Sequence, residues 1–488
     1  MLLNRRPIAK ILCAVMAVVG VSMLLPAAVA LIHKETSVVF DFLICALPMI
    51  IAGLLVIKLT PKEDNAVLRM RDGFFIVAAA WIAMSALGAL PFVISGSIPN
   101  FFDAFFETAS GFTTTGSTIV TDIEALPKGI LFWRSFTHWL GGMGVLVLTI
   151  ALLPMLGIGG QKIMRAETTG PTMDKISFTT NDTARKLYTI YIGMTLLEII
   201  LLMFGGLDFF EASTHTFGTV GTGGLSTHSA SIGFYGSTYV EMVIAVFMVA
   251  AGVNFGLYYY LLTGKPRQML RDPEFRTYIS IVAGCTLFIA AMLLIDKVYS
   301  TVGDSLRYSF FQVSSIITTT GYGTADFDTW PTVCRLVLFI LMIIGGCAGS
   351  TGGGIKVIRL IFAWKVMRRG VRRRLHPDSV EPIKLGGRSV SEEAVSSTVT
   401  FLFLYIVTAA VGIFLLSFEN TDFETCISSV IACLSNIGPG FGLVGPMGNY
   451  AFYSDAAKIV LALIMIAGRI ELYAILLPLS PRFWNPAR

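Results

Sequence analysis

Charge is scarce in this chain. Asp, Glu, Lys and Arg supply 14% of its 488 residues while hydrophobic residues supply 55%, and soluble domains carry roughly 25% charged residues. With a mean hydropathy of +0.74, an ordinary water-soluble domain is excluded. Histidine is scarcer still: His33, His138, His215, His228 and His376 lie far apart and form no catalytic or metal-binding set, with His215 reading as a packed residue of a short helix. The seven cysteines (Cys13, Cys45, Cys285, Cys334, Cys347, Cys426, Cys433) are scattered in or beside apolar stretches. Without metal-ligand spacing they read as small, buried, reduced side chains. No polar cluster of the kind a membrane enzyme needs is present, so no enzyme is expected. A Walker phosphate loop is excluded as well, because Ile355 separates Lys356 from the preceding glycines and no strand leads into them. The basic run Arg372-Arg373-Arg374 stands between apolar spans, so it reads as a topology signal touching lipid headgroups or a cytosolic partner, and not as a nucleic-acid site.

Long apolar runs are what the chain does have. They fall at about 8–32, 38–59, 73–95, 129–157, 186–206, 238–263, 275–296, 332–364, 395–417 and 455–480, each long enough to cross a hydrocarbon layer about 30 Å thick. The alternation of barrel strands is absent, so the spanning elements are helices. The first run follows Arg5, Arg6 and Lys10 but is too long for a signal peptide and lacks a small-residue cleavage site, so it reads as a retained span. Counting spans puts Arg69, Arg71, Lys162, Arg165, Lys265, Arg267, Arg271 and the run 368–374 on the same side as the N-terminus. By the positive-inside rule that side, with both termini, is the cytoplasm.

A hairpin over 1–67 precedes a unit that recurs four times, over 68–180, 181–274, 275–390 and 391–488. Each unit reads helix, short half-helix, glycine loop, helix. The loops are Thr114-Thr115-Gly116-Ser117-Thr118, Thr219-Val220-Gly221-Thr222-Gly223, Thr319-Thr320-Gly321-Tyr322-Gly323 and Asn436-Ile437-Gly438-Pro439-Gly440. Repetition at a near-fixed period is architecture, and parallel copies imply rotation about an axis along the membrane normal. The expected fold is an all-α polytopic membrane protein: four tandem helix–pore loop–helix repeats with pseudo-fourfold symmetry around one pore, plus the N-terminal hairpin.

Half-helices too short to span the bilayer survive at membrane depth only where they line a water-filled cavity. The first carries Asp103 near its start, where a carboxylate suits the positive end of the helix dipole. Glycine at the centre of each loop lets successive carbonyls point inward, and Thr114, Thr115, Thr219, Thr319, Thr320 and Asn436 add side-chain oxygens. Carbonyl rings of this kind replace the hydration shell of a potassium ion, and T-T-G-Y-G is one residue from the T-V-G-Y-G filter of potassium channels, a worked example of that chemistry. No acidic residue occurs in the four loops. Because only the third carries G-Y-G and the fourth has a proline between its glycines, strict fourfold geometry is not expected, and fewer ion sites should form than in a symmetric tetramer.

Two further signals lie later. Gly345, Gly346, Gly349, Gly352, Gly353 and Gly354 interrupt an apolar run, and glycine costs about 1 kcal/mol per residue against alanine in a helix interior. The segment reads either as a melted stretch lining the pore or as a close-packing face. Arg469 stands in the last apolar run with Glu471 nearby. It reads as a pore-facing cation opposite the glycine segment, or as a structural partner of Glu471 or of broken-helix carbonyls.

With these features the chain resembles, over essentially its full length, the Trk-type potassium uptake proteins of the TrkH/TrkG kind, in the superfamily that also holds the Ktr and plant HKT transporters. The resemblance implies that Gly116, Gly221, Gly321 and Gly438 are selectivity glycines for a potassium ion, that 345–354 is an intramembrane gating loop, and that Arg469 is the basic residue of the last helix. It also implies a homodimer with one pore per subunit in the bacterial inner membrane, and a cytosolic nucleotide-binding regulatory subunit of TrkA type. Glycine at 116 points by the same analogy to potassium over sodium. A gated, channel-like path is the expected mechanism. A symporter coupled to protons or sodium is the alternative, against which the shortage of membrane-embedded carboxylates counts.

Overall fold

The computed structural model describes residues 5–59, 69–144, 180–376, 382–386 and 388–484. Lys162, Arg165 and the later part of the 129–157 run lie outside the described residues. Among those described, six helices are long and apolar enough to cross a membrane, and eight when each of two bent pairs counts as one span. This is a multi-pass helical membrane protein. The departure from an all-α fold among the described residues is a two-stranded antiparallel pairing of Lys384–Leu385 with Arg388–Ser389.

The N-terminal hairpin consists of Arg5–Ser22 and Leu24–Ile32 against Thr36–Leu59. Small residues bring its helices close: a Cβ at Gly53 would sit 2.6 Å from that of Ala17, the kind of approach that favours association in lipid. The hairpin also caps the core. Glu35 accepts from the amides of Lys128 and Gly129 at 2.7 and 3.0 Å, placing a carboxylate at the N-terminus of helix Lys128–Gly142, where the dipole favours it.

Four units follow. Their first helices are Met70–Gly88 continued by Leu90–Ile94, Thr180–Phe204, Pro273–Ile295 and Glu392–Leu416. Their short loop helices are Phe101–Phe112, Phe209–Gly221, Val302–Ile317 and Phe423–Leu434. Asn100, Asp208, Thr301 and Asp422 cap these loop helices, and Asp103, Glu211, Asp304 and Glu424 stand in their first turns. All four therefore start with the same capping chemistry.

Their second helices depart from the sequence expectation. Unbroken spans were expected at 238–263 and 455–480, with a break only in the third unit. Instead, Thr238–Ala251 and Phe255–Leu262 meet at 98°, and Asp455–Arg469 and Tyr473–Leu479 at 117°. The third unit is divided between Thr332–Ile344 and Val357–Leu375. Asn254 caps the helix that restarts in the second unit, and Glu471 and Leu472 take positive φ at the fourth break. Local polar and left-handed residues break these helices, which hydropathy alone does not register.

The fourfold arrangement is visible at the rim. The start of each second helix carries a charge that meets the next unit's loop helix: Lys128 with Glu211 at 3.7 Å, Glu241 with Arg307 at 2.5 Å, Arg335 with Glu424, and Lys458 with Asp103 at 2.6 Å. The last pair returns from unit four to unit one, closing the ring.

Candidate functional site

The loops begin alike. Each loop helix runs into a residue with left-handed backbone: Thr114 (φ 55°), Thr222 (φ 56°), Thr319 (φ 59°) and Asn436 (φ 58°). One residue follows, Thr115, Gly223, Thr320 or Ile437, and then a glycine, Gly116 (φ 80°), Gly224 (φ 74°), Gly321 (φ 86°) or Gly438 (φ 98°). These glycines are required by contact as well as by φ. A Cβ at Gly116 would lie 2.1 Å from the carbonyl oxygen of Gly223, one at Gly224 2.0 Å from that of Thr320, one at Gly321 2.0 Å from that of Ile437, and one at Gly438 2.7 Å from that of Thr115. Loop one touches two, two touches three, three touches four, and four touches one.

This closure corrects the second loop. Thr219, Val220 and Gly221 were expected to be its filter residues, but all three belong to helix Phe209–Gly221. The Thr219 hydroxyl donates back to His215 O at 2.9 Å, and Gly221 packs at the His138 carbonyl, 2.6 Å from where a Cβ would be. The residues on the ring are Thr222, Gly223 and Gly224. Thr114, Thr115, Gly116, Thr319, Thr320, Gly321, Asn436, Ile437 and Gly438 form the other three loops of the ring. A signal for the shift was available: sixteen residues separate the cap Asn100 from Gly116 and Asp422 from Gly438, and sixteen separate Asp208 from Gly224.

Behind the ring the support differs by loop. Thr113 and Thr115 share a 2.7 Å hydroxyl contact, and Thr318 and Thr320 one of 2.8 Å. Asn436 Nδ2 donates to Thr115 Oγ1 at 3.0 Å and to Met465 O at 2.9 Å, joining loops four and one. Gly223 has no side chain because the His138 ring is there, 2.2 Å from a Cβ position. His138 is fully buried, and neither ring nitrogen has a hydrogen-bond partner among the described residues. Tyr322 is also buried, its hydroxyl donating to His215 O at 2.9 Å and tying loop three to the second loop helix. The Gly438 carbonyl accepts from Tyr450 Oη at 2.8 Å and Ser117 Oγ at 3.3 Å, a local break in the symmetry.

On the side where the loop helices start, a cavity of about 110 Å³ opens over Gly116, Gly224, Gly321 and Gly438. Its wall is braced by Glu107 and Arg134, each 1% exposed. Glu107 accepts from Arg134 Nε at 2.8 Å and from the Ile119 amide at 3.0 Å, and Arg134 reaches Ser226 O at 3.3 Å. The chain leaving loop one is thereby joined to that leaving loop two. Farther out, Glu124 accepts from the Ser229 hydroxyl and amide at 2.6 and 2.8 Å, bonds that hold its carboxyl below the usual carboxylate range. Removing one partner of a buried pair costs about 3–5 kcal/mol. Arg134→Met is accordingly expected to lower the thermal stability and folded yield of the purified protein, read by fluorescence-detected size-exclusion melts.

Beneath the ring lies the glycine segment. Gly345 (φ 76°), Gly349 (φ 71°) and Gly354 (φ 73°) are left-handed, and a Cβ at Gly345 would lie 2.3 Å from Gly353 O, so the segment is pinched at its neck. Gly346 lies close to Gly252 O, 3.1 Å from its Cβ position, and Gly352 to Thr318 O at 2.8 Å. The Gly353 amide donates to Thr319 Oγ1 at 2.6 Å, and Thr351 Oγ1 donates to Val220 O at 3.1 Å. Val220 therefore acts on this segment and not on the ring. Arg469 donates to Thr351 O on one side and to Gly141 O and Gly142 O, at 2.7 and 2.9 Å, on the other. Of the readings open for Arg469, these bonds match that of a partner for broken-helix carbonyls, while Glu471 pairs with Arg359 at 2.6 Å.

Comparison with known proteins shows the family and the fold. The TrkH family, described as cation transport proteins, matches residues 44–485. The chain belongs to the TrkH family. It is 39% identical over 428 residues to the Trk system potassium uptake protein TrkH of Escherichia coli K12, covering 87% of this chain and 88% of the relative. It is 35% identical over 469 residues to TrkG of the same strain, with 96% of each chain covered. A crystal structure of the potassium transporter TrkH from Vibrio parahaemolyticus superposes with a TM-score of 0.88 at 34% identity, covering 99% of this chain and 100% of that one.

The shortage of membrane-embedded carboxylates expected from the sequence is qualified by buried ones on or near the spans. Glu198 (0% exposed), Glu241 (2%) and Glu274 (6%) are buried on or beside the spans, and the Glu198 carboxyl makes no hydrogen bond of good geometry. Sequence reading missed it because a single glutamate in a long apolar run lowers hydropathy very little.

Proposed function

We propose that this chain is the ion-conducting subunit of a potassium uptake system, passing potassium along the axis of the four loops. The observation that carries this reading is the closed ring of glycine contacts, which gathers four carbonyls and the negative ends of four helix dipoles around one line. Potassium is the cargo, and Thr115, Gly223, Thr320 and Ile437 with the four glycines supply its oxygens. The units divide at 1–67, 68–180, 181–274, 275–390 and 391–488. Residues 345–354, held by Arg469, form the gate under the filter.

The finer assembly belongs to the same reading. The chain works as a homodimer with one pore per subunit in the bacterial inner membrane, with both termini in the cytoplasm. Basic residues 368–374 face lipid headgroups and a cytosolic nucleotide-binding subunit of TrkA type. In proteoliposomes under an applied potential the purified protein should take up rubidium and potassium in preference to sodium. Absence of alkali-ion flux, with or without the cytosolic partner, contradicts the proposal.

Glu198 favours a second reading, symport with protons, because a buried carboxyl without a counter-charge is the residue type that relays protons in membranes. Flux at fixed proton stoichiometry, lost in Glu198→Gln, would select symport. Potassium flux that follows its own electrochemical gradient alone selects the channel.

A further inference from the structure

The segment below the ring holds a second cation. Lys356 is 3% exposed, and its Nζ donates to the carbonyl of Gly352. Its position is unfavourable on three counts. It is buried within an apolar protein, where lysine is rare unless paired. Its backbone has φ 79°, a region that L side chains rarely adopt. It also stands as the N-cap of helix Val357–Leu375, at the end of the dipole that repels a positive charge. An uncharged residue would meet none of the electrostatic costs.

The acceptor suggests what the charge does. Gly352 lies directly under the third loop, with Thr318 O 2.8 Å from its Cβ position, and the adjoining Thr351 carbonyl is held by Arg469. Two consecutive carbonyls beneath the filter are thus occupied by cationic side chains. An alkylammonium group carries the charge of a potassium ion at similar size and donates only, so it is a tethered competitor for the oxygens that a passing cation would use. The neck of the segment fixes the tether, because the Lys356 amide donates to Ile344 O at 2.8 Å and the Val357 amide to Gly346 O at 3.0 Å.

A second place for the ammonium exists nearby. Glu471 gives Oε2 to Arg359, but its Oε1 is buried without a hydrogen-bond partner. Glu471 and Glu274 act on Lys356 as compensating charges, against Arg469 and Arg359. Glu274 is itself engaged, accepting from the Ala348 and Ile358 amides at 2.7 and 3.0 Å, which leaves Glu471 Oε1 as the available acceptor.

We propose that Lys356 is a tethered-cation latch of the gate: its ammonium holds the Gly352 carbonyl when the path is shut, and transfers to Glu471 Oε1 when it opens. This inference rests on the reading of 345–354 as the gate of a potassium path. The test compares wild type with Lys356→Met, Lys356→Gln and Lys356→Arg, reconstituted without any cytosolic partner, by initial rates of rubidium uptake and by rubidium-over-sodium preference. Met and Gln should raise the rate by about tenfold, the factor that one charge-assisted bond at the low end of its usual worth supplies, and leave the preference unchanged. Arg, which keeps charge and donor, should stay near the wild-type rate.

Rates at or below wild type for Met and Gln overturn the latch, as does a Gln variant that behaves like wild type, since Gln keeps a donor without the charge. Failure of both neutral variants to give monodisperse protein assigns Lys356 to folding and overturns it too. Glu471→Gln supplies an independent arm. In cells lacking other potassium uptake routes it should slow uptake through the open path, and uptake at the wild-type rate removes Glu471 from the latch. Wild-type liposomes and cells that take up no alkali ion contradict the potassium-path reading itself. Wild-type flux with unaltered Lys356 variants contradicts only the latch.

Discussion

Gly224→Ser is expected to lower the preference for potassium over sodium by about tenfold or more, with Gly116→Ser having a similar effect. The new Cβ at 224 would fall 2.0 Å from Thr320 O at φ 74°, so either the carbonyl or the loop must move. Backbone strain of this class costs about 1–3 kcal/mol, and 1.4 kcal/mol is a factor of ten in a binding ratio. Thr219→Ala removes a hydroxyl that donates to His215 O within its own helix, behind the ring, and should leave the permeability ratio unchanged. Bi-ionic flux measurements on the three variants decide the register of the second loop. An altered ratio in Thr219→Ala beside an unaltered one in Gly224→Ser would return the filter to the earlier register.

Shortening the 345–354 segment, or replacing Arg469 with glutamine, should raise flux in the absence of the cytosolic partner. Arg469 makes three bonds to carbonyls of two separate segments, 141–142 and 351, and hydrogen bonds to charged groups contribute about 1.5–3 kcal/mol each. Loss of even one such bond's worth moves the shut–open balance by tenfold or more. Uptake assays that show reduced flux in both variants would instead assign the segment to helix packing, because a packing element fails when it is cut.

Much of this was legible in the sequence because it is repeated. Caps, loop helices and loop glycines recur in the same order in all four units, with sixteen residues from cap to glycine in units one, two and four and twenty in unit three. The second loop is hard to place because Gly221, Gly223 and Gly224 offer several registers; counting sixteen residues from the cap, as in loops one and four, selects Gly224. The bends at 252–254 and 470–472 were hidden since each interrupts an apolar run for only a few residues. His138, Glu198 and Lys356 were hidden for a different reason. Each is a single polar residue whose role depends on what folding brings to it: His138 meets Gly223 only once units one and two pack together, and Lys356 reaches Gly352 O, four residues back, only once the glycine segment has turned.

The most direct measurement is anomalous diffraction from crystals of the protein grown with rubidium or thallium in place of potassium. Density is expected on the axis inside the carbonyls of Thr115, Gly223, Thr320 and Ile437, between the glycines of the four loops. Density beside Val220 and Gly221, or an axis without density at saturating ion, would contradict it.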